Sequence, residues 1–317
     1  MSARDPELAR AALAGLAAYE QAPRRERPPP KPEVARIAGA ALRDYGGTGP
    51  PALLVPSLIN PPRILDLDAK VSLTAAIARM DRRALLLDWG KAEERSSLSV
   101  SDHVEELLIP LLREIGEPVA LIGYCLGGTM AIAAANVAAV DRVATIAAPW
   151  KFSAYPDASR GGLADMWKHS QAAAQQFGAL PMEVLQAAFW SLDPERTVKK
   201  FAEFGRLDPA SDDARRFVEL EEWANEGEPL PYPAAKELIE ELFGKDLPGS
   251  GEWIGTDELA APALHLTADH DRIAPAATAP AGERIVVPSG HVGMIVGSAR
   301  ERLHQALDAF LSSSLRA

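Results

Sequence analysis

The chain has 317 residues, one cysteine, 47% apolar residues and a formal net charge of -11, with a sequence pI near 5.1. The apolar share suffices for a full globular core, arranged as one large domain or two modest ones. The acidic balance argues against a nucleic-acid partner, and a single cysteine excludes a disulfide within the chain.

The nearest thing to a basic patch is RRERPPPK at residues 24–31. It is short and proline-laden and reads as a solvated linker. The opening MSARDPELARAALAG lacks the basic start and apolar run of a secretory leader. No run of about 18 apolar residues offers a membrane span. A cytoplasmic, reducing setting is therefore expected.

In chain order, DPELARAALAGLAAYE (5–20) has the pattern of a helix with Asp5 as cap and Pro6 in its first turn. This N-terminal helix is assigned to 1–21 and a proline-rich tether to 22–33. Beyond the tether, short apolar runs alternate with helical stretches. They are ALLVP (52–56), helical SLTAAIARM (72–80), ALLLD (84–88), a helix over 101–115, PVALIG (118–123), a helix to about residue 138, and RVATIAAP (142–149). Apolar runs separated by helices imply parallel strands buried on both faces. Residues 150–255 break the alternation with helical segments, acidic patches and no clear strand. It resumes with PALHLTA (262–268), ERIVVP (283–288) and a terminal helix over 298–311. The expected class is α/β: a mostly parallel central sheet flanked by helices, built from 34–149 and 256–317. A helical cap inserted over 150–255 interrupts it. An insertion after the sixth strand lies above the carboxyl ends of the strands, where open α/β sheets bind ligands.

The lone sulfur stands in LIGYCLGGTMAIAAA (121–135), between an apolar run and an alanine-rich helix. The spacing glycine-x-cysteine-x-glycine is that of a nucleophile elbow with Cys125 in place of the usual serine. Such a turn holds its nucleophile in a strained backbone conformation, and side chains at plus or minus two would strike the adjoining strand and helix. Gly123 and Gly127 fill those two positions, and Gly128 lets the helix approach the sheet. The start of the helix also presents N–H groups and a positive dipole end that favour a thiolate. The competing reading is an inert buried cysteine; strand, turn and helix together favour the nucleophile.

An elbow needs an acid and a histidine later in the chain. Of six histidines, His103 and His169 come too early, and His265 lies within an expected strand and suits a core role. His270 sits in the next loop, and His304 on the terminal helix is expected to face solvent. His291, in VVPSGHVGM after the last strand, has the position of a base. The acid should follow PALHLTA, where DHDRIAP offers Asp269 and Asp271; either could reach, and Asp271 is preferred because the Arg-Ile-Ala-Pro stretch after it should anchor the loop. The oxyanion hole should combine the N–H of Leu126 with one from PSLINPP, where Ser57, Leu58 or Ile59 could donate and Leu58 is preferred.

Together these motifs resemble the poly(3-hydroxyalkanoate) synthase (PhaC-like) family of the α/β-hydrolase superfamily. GYCLGGTMA resembles its glycine-x-cysteine-x-glycine-glycine box, VPSLINPPRILDLD its segment after the third strand, DRIAP its acid loop and SGHV its histidine loop. The likeness spans most of residues 50–300. It implies Cys125 as nucleophile, Asp271 rather than Asp269 as acid, and His291 as base. Arg272 stands where synthases have histidine, Ala276 where they have tryptophan, and Trp89-Gly90 where they have tryptophan-arginine-asparagine. GHVGMIVGS likewise replaces an asparagine-proline-proline turn. These variants look like those of short PhaC-like members classed as α/β hydrolases, and short synthases look to a second subunit for activity.

The resemblance implies an enzyme acting on an acyl ester or acyl-CoA through an acyl-cysteine. Hydrolysis is favoured, polyester synthesis with a partner subunit is the first alternative, and a non-catalytic granule- or partner-binding protein the second. A homodimer is also compatible with the sequence. No cofactor is expected, since there is no metal-ligand cluster and no glycine-rich phosphate cradle. Five of the six tryptophans (Trp150, Trp167, Trp190, Trp223 and Trp253) fall within 150–255. Individually they suit helix packing; collectively they suggest an apolar acyl pocket.

Overall fold

The computed structural model describes residues 5–313; expectations falling on 1–4 and 314–317 lie outside that range. The chain forms two compact units, one from residues up to 29 together with 183–227, the other from 30–182 and 228 onward.

The larger unit is built on an eight-stranded sheet. Its strands are β1 (Glu33–Ile37), β2 (Ala40–Asp44), β3 (Pro51–Val55), β4 (Arg83–Asp88), β5 (Ala120–Tyr124) and β6 (Arg142–Ile146). A two-residue pair follows, β7 (Ala179–Leu180) and β8 (Leu230–Pro231), antiparallel and outside the main sheet. The sheet is completed by β9 (Ala263–Ala268) and β10 (Glu283–Val287). Its order is β1-β2-β4-β3-β5-β6-β9-β10. From β4 to β10 every pairing is parallel; the β1–β2 and β2–β4 pairings are antiparallel. Every residue of β3, β5 and β6 is buried, as strands covered on both faces require.

The sequence reading missed the β1–β2 hairpin. Its outer strand is largely exposed and its turn rests on a left-handed Ala38 rather than on a recognisable turn pair, so neither burial nor turn chemistry marks it. It also missed β7 and β8, which are too short to leave a pattern. The stretch expected as one helix over 101–115 is helical but uneven. Its middle, His103–Leu108, is π-helical, with the N–H of Ile109 reaching Val104 O. Pro110 has no N–H to continue the ordinary ladder, which fits a locally widened turn.

Chain order places β4 on one side of β3 and β5 on the other. The connections diverge there, so the carboxyl ends of β3 and β5 flank the crevice of an open α/β sheet. Between β6 and β9 the chain is mostly helical, including Asp157–Phe177 in the larger unit. Trp150 and Trp167 are buried; Trp150 packs against Trp253, and the Trp167 and Trp253 indoles donate to Glu240 and Glu237 at 2.8 and 2.7 Å.

The smaller unit is helical. Pro6–Gln21 packs on Pro194–Phe204 so closely that a Cβ on Gly15 would stand 1.8 Å from Phe201 O. Tyr19 meets Phe201, Phe204 and Phe217 edge-on, and Phe204, Ala214 and Val218 form its core. Lys200 pairs with the buried Glu221 at 2.7 Å. Trp223 is buried and Trp190 is 49% exposed, so the tryptophans do not behave as one set.

Candidate active site

β5 ends at Tyr124, and the helix Leu126–Val137 begins two residues later. Cys125 makes the corner with φ 56° and ψ -132°, a strained conformation for a side-chain-bearing residue. Its N–H is held by Ile146 O at 2.9 Å, and its carbonyl accepts from Gly128 N–H at 2.8 Å. The glycines are required by contact. A Cβ on Gly123 would lie 2.3 Å from Gly128 Cα, and one on Gly128 would lie 2.3 Å from Ala148 Cβ. One on Gly127 would lie 2.2 and 2.5 Å from the carbonyl oxygens of Val55 and Pro56.

His291 follows β10 and is 8% exposed. Its Nδ1 lies 2.7 Å from Asp271 Oδ2, and Cys125 stands near enough to act on its charge. Of the two acids left open by spacing alone, it is Asp271 that meets the imidazole. The other oxygen of Asp271 accepts the N–H groups of Ile273 and Ala274 at 2.8 Å each, which locks the carboxylate. Asp269 is engaged elsewhere. Its Oδ1 accepts Ser289 N–H at 2.9 Å and ties the acid loop to the histidine loop. Burial by itself would lower the His291 pKa; the charges of Cys125 and Asp271 and the Asp271 hydrogen bond outweigh it and raise it to about 10.

Two tyrosines that the sequence reading did not single out complete the surroundings. Tyr124 is fully buried with its ring 5.1 Å from that of His291. Buried Tyr155 donates to Ile273 O at 2.9 Å and so steadies the acid loop. Burial, with Cys125 and Asp271 nearby, pushes both phenols up. A tyrosine immediately before the cysteine was a readable signal; Tyr155, far away in sequence, was not.

The oxyanion candidates lie beside the elbow's strand pair. Leu126 opens its helix, so its N–H has no acceptor a turn before it. Of the loop after β3, Ile59 donates its N–H to Ser57 Oγ at 3.3 Å, which leaves Ser57 and the buried Leu58 as candidate donors. The other histidines stand apart. His103 is fully buried between Ser99 O and Arg95, and His265 is buried against Thr145 Oγ1 at 2.9 Å. His169 and His270 are exposed. His304, expected in solvent, is half-buried, because its helix turns an apolar stripe of Leu303, Leu307 and Leu311 inward beside it. Among the described residues no group of three potential metal ligands comes together, and no helix is long and apolar enough to cross a membrane.

No family model matches the chain. Among curated proteins it is similar to the poly(3-hydroxyalkanoate) polymerase subunit PhaC of Haloarcula marismortui, 25% identical over 83% of this chain and 61% of that protein. It is also similar to that of Haloferax mediterranei, 26% identical over 78% of this chain and 55% of that protein. The chain thus spans little more than half the length of these two relatives. The polymerase subunit PhaC of Allochromatium vinosum is 23% identical over 83% of this chain and 80% of that protein. Among solved structures, a non-heme bromoperoxidase BpoC of Mycobacterium tuberculosis superimposes with a TM-score of 0.56 at 15% identity, covering 87% of this chain and 97% of that one. An esterase of Exiguobacterium antarcticum does so at 0.54 and 10% identity, covering 89% of this chain and all (100%) of that one. The parallel sheet, its order and these superpositions agree: the chain has the α/β-hydrolase fold and, in sequence, resembles the PhaC-type polymerase subunits.

Proposed function

We propose that the protein transfers acyl groups from esters or thioesters through an acyl-cysteine on Cys125. The observation that carries this reading is the buried His291–Asp271 pair near Cys125, with the sulfur on a strained corner at the start of a helix.

With the thiol proton on His291, the sulfur attacks the carbonyl carbon and the C=O π pair moves to oxygen. The N–H groups of Leu126 and of Ser57 or Leu58 receive that charge. Collapse of the tetrahedral intermediate expels the alkoxide or thiolate, which takes the proton from His291. His291 then removes a proton from the acceptor, and the second collapse returns the thiol. Asp271 keeps Nδ1–H in place and stabilises the imidazolium throughout.

Water as acceptor makes the enzyme a thioesterase or esterase, the reading favoured by the altered residues around the acid and histidine loops (Arg272, Ala276, Gly293). A substrate hydroxyl as acceptor makes it a polyester-forming acyltransferase, alone or with a partner subunit. That second reading is favoured by the PhaC-type relatives, all polymerase subunits by name. Mass spectrometry after incubation with 3-hydroxybutyryl-CoA tests both. The expected result is an acyl adduct on Cys125 that is absent from Cys125→Ala. Free acid with CoA identifies hydrolysis, and CoA with insoluble polymer identifies synthesis. No adduct and no CoA release would leave a non-catalytic binding role instead.

A further inference from the structure

β4 ends at Asp88, and Trp89 and Gly90, which follow it, take no part in the site described above. The parallel register sets Leu54 of β3 beside Leu86 of β4, so the residues after the two strands run on side by side. β3 ends at Val55, and Pro56 carries no N–H for a further ladder rung. The carbonyl of Pro56 is instead taken by the Trp89 indole, whose Nε1–H donates to it at 3.1 Å. The same carbonyl oxygen is backed by Gly127, where a Cβ would stand 2.5 Å away. The 56–57 peptide is planar, so holding its carbonyl between Trp89 and the elbow helix also sets the direction of the Ser57 N–H.

The indole is itself held. It is 4% exposed and its ring meets that of His103 edge-on at 5.6 Å. His103 is in turn fixed at Nδ1 by Ser99 O at 2.5 Å and at Nε2 by Arg95 at 3.2 Å. On the other side Gly90 turns the chain with φ +70° in a place where a Cβ would lie 2.3 Å from Gly39 O, and its N–H reaches Asp88 Oδ1 at 3.1 Å.

We propose that Trp89 is a positioning residue: its indole N–H, through the Pro56 carbonyl, aims the N–H of Ser57 at the oxyanion formed during acyl transfer. This rests on the acyl-cysteine reading. A tryptophan present only to fill space would be indifferent to loss of its N–H, whereas an aiming tryptophan is not. The reaction step affected is the one that builds charge on the carbonyl oxygen. Alkylation of the sulfur, which builds no such charge, should be spared.

The decisive variant replaces Trp89 by β-(3-benzothienyl)alanine, which keeps the shape and exchanges N–H for sulfur; Trp89→Phe serves as a second. Acylation is read as the nitrophenolate burst with p-nitrophenyl butyrate, and the sulfur as its alkylation rate with iodoacetamide. In the benzothienyl variant acylation should slow by about tenfold with KM within about twofold, and alkylation should stay within about twofold. Trp89→Phe should do the same or worse. Acylation at the unaltered rate in the benzothienyl variant overturns the role of Trp89 while leaving the acyl-cysteine reading intact. An equal fall in acylation and alkylation also overturns it, because the tryptophan would then act on the sulfur or the fold. No burst from the unaltered protein, or an undiminished one from Cys125→Ala, overturns the acyl-cysteine reading and this role with it.

Discussion

The corner at Cys125 and the loops that carry Asp271 and His291 fix their side chains by different physical means. At the corner, backbone sterics rule: three glycines stand where a Cβ would meet backbone or side-chain atoms within 2.3 Å, and the cysteine has little choice of conformation. In the loops, side-chain hydrogen bonds rule. Asp271 is locked by two backbone N–H groups, Asp269 ties Ser289, and Tyr155 holds Ile273 O. Steric definition depends on neighbours a few residues away and leaves a sequence signature. Hydrogen-bonded definition depends on partners that only folding brings together.

The contrast can be broken first at the two aspartates. Asp271→Asn retains the acceptor oxygen for Ile273 and Ala274 but presents an N–H to His291 Nδ1 and so imposes the wrong tautomer. A fall in kcat/KM of about 10³–10⁴-fold is expected with p-nitrophenyl butyrate. Asp269→Asn still accepts from Ser289 and should stay within about threefold. Equal losses at both positions would remove the distinction between a catalytic and a tethering carboxylate.

The steric side is tested by Gly127→Ala. Its Cβ would meet two backbone carbonyl oxygens, so strand or helix must shift, and a loss of about 2–4 kcal/mol in urea unfolding is expected. Unchanged stability would show that the corner yields more readily than its contacts imply.

A smaller effect separates His291 from the histidines outside the site. Burial lowers the pKa of His103 and of His265 to about 4, against about 6.5 in the unfolded chain. A depressed histidine contributes stability above pH 6.5 that is lost as pH falls toward 4. Each imidazole should cost about 2 kcal/mol by pH 5. His291, raised to about 10, has the opposite sign: its contribution is complete below pH 6.5 and is lost as pH rises through about 10. Histidine ¹⁵N chemical shifts should therefore show His291 protonated at pH 7.5 and His103 and His265 neutral at pH 5. A neutral His291 at pH 7.5 would remove the imidazolium from the resting site.

Much of the larger unit was legible because its strands are short apolar runs between helices: β3, β4, β5, β6, β9 and β10 each coincide within two residues at either end with such a run, once the flanking prolines, glycine and alanines are set aside. The β1–β2 hairpin was not, since its exposed outer strand carries no apolar period. Within the candidate site, Cys125 could be singled out by its glycines and His291 by its place after the last strand. Asp271 and Asp269 could not be separated by spacing, because both lie in one loop two residues apart; Asp271 was preferred for the Arg-Ile-Ala-Pro stretch after it and for the family pattern.

The sequence by itself determined the α/β alternation and the strained thiol, since apolar period and the missing Cβ of glycine are properties of neighbouring residues. Only the tertiary structure decided which carboxylate meets His291, that Tyr155 braces the acid loop and that Trp89 reaches Pro56. Those partners lie 20, 118 and 33 residues apart. A hydrogen bond is a matter of tenths of an ångström and of direction, and over such separations both are set by packing of the whole sheet rather than by any local pattern.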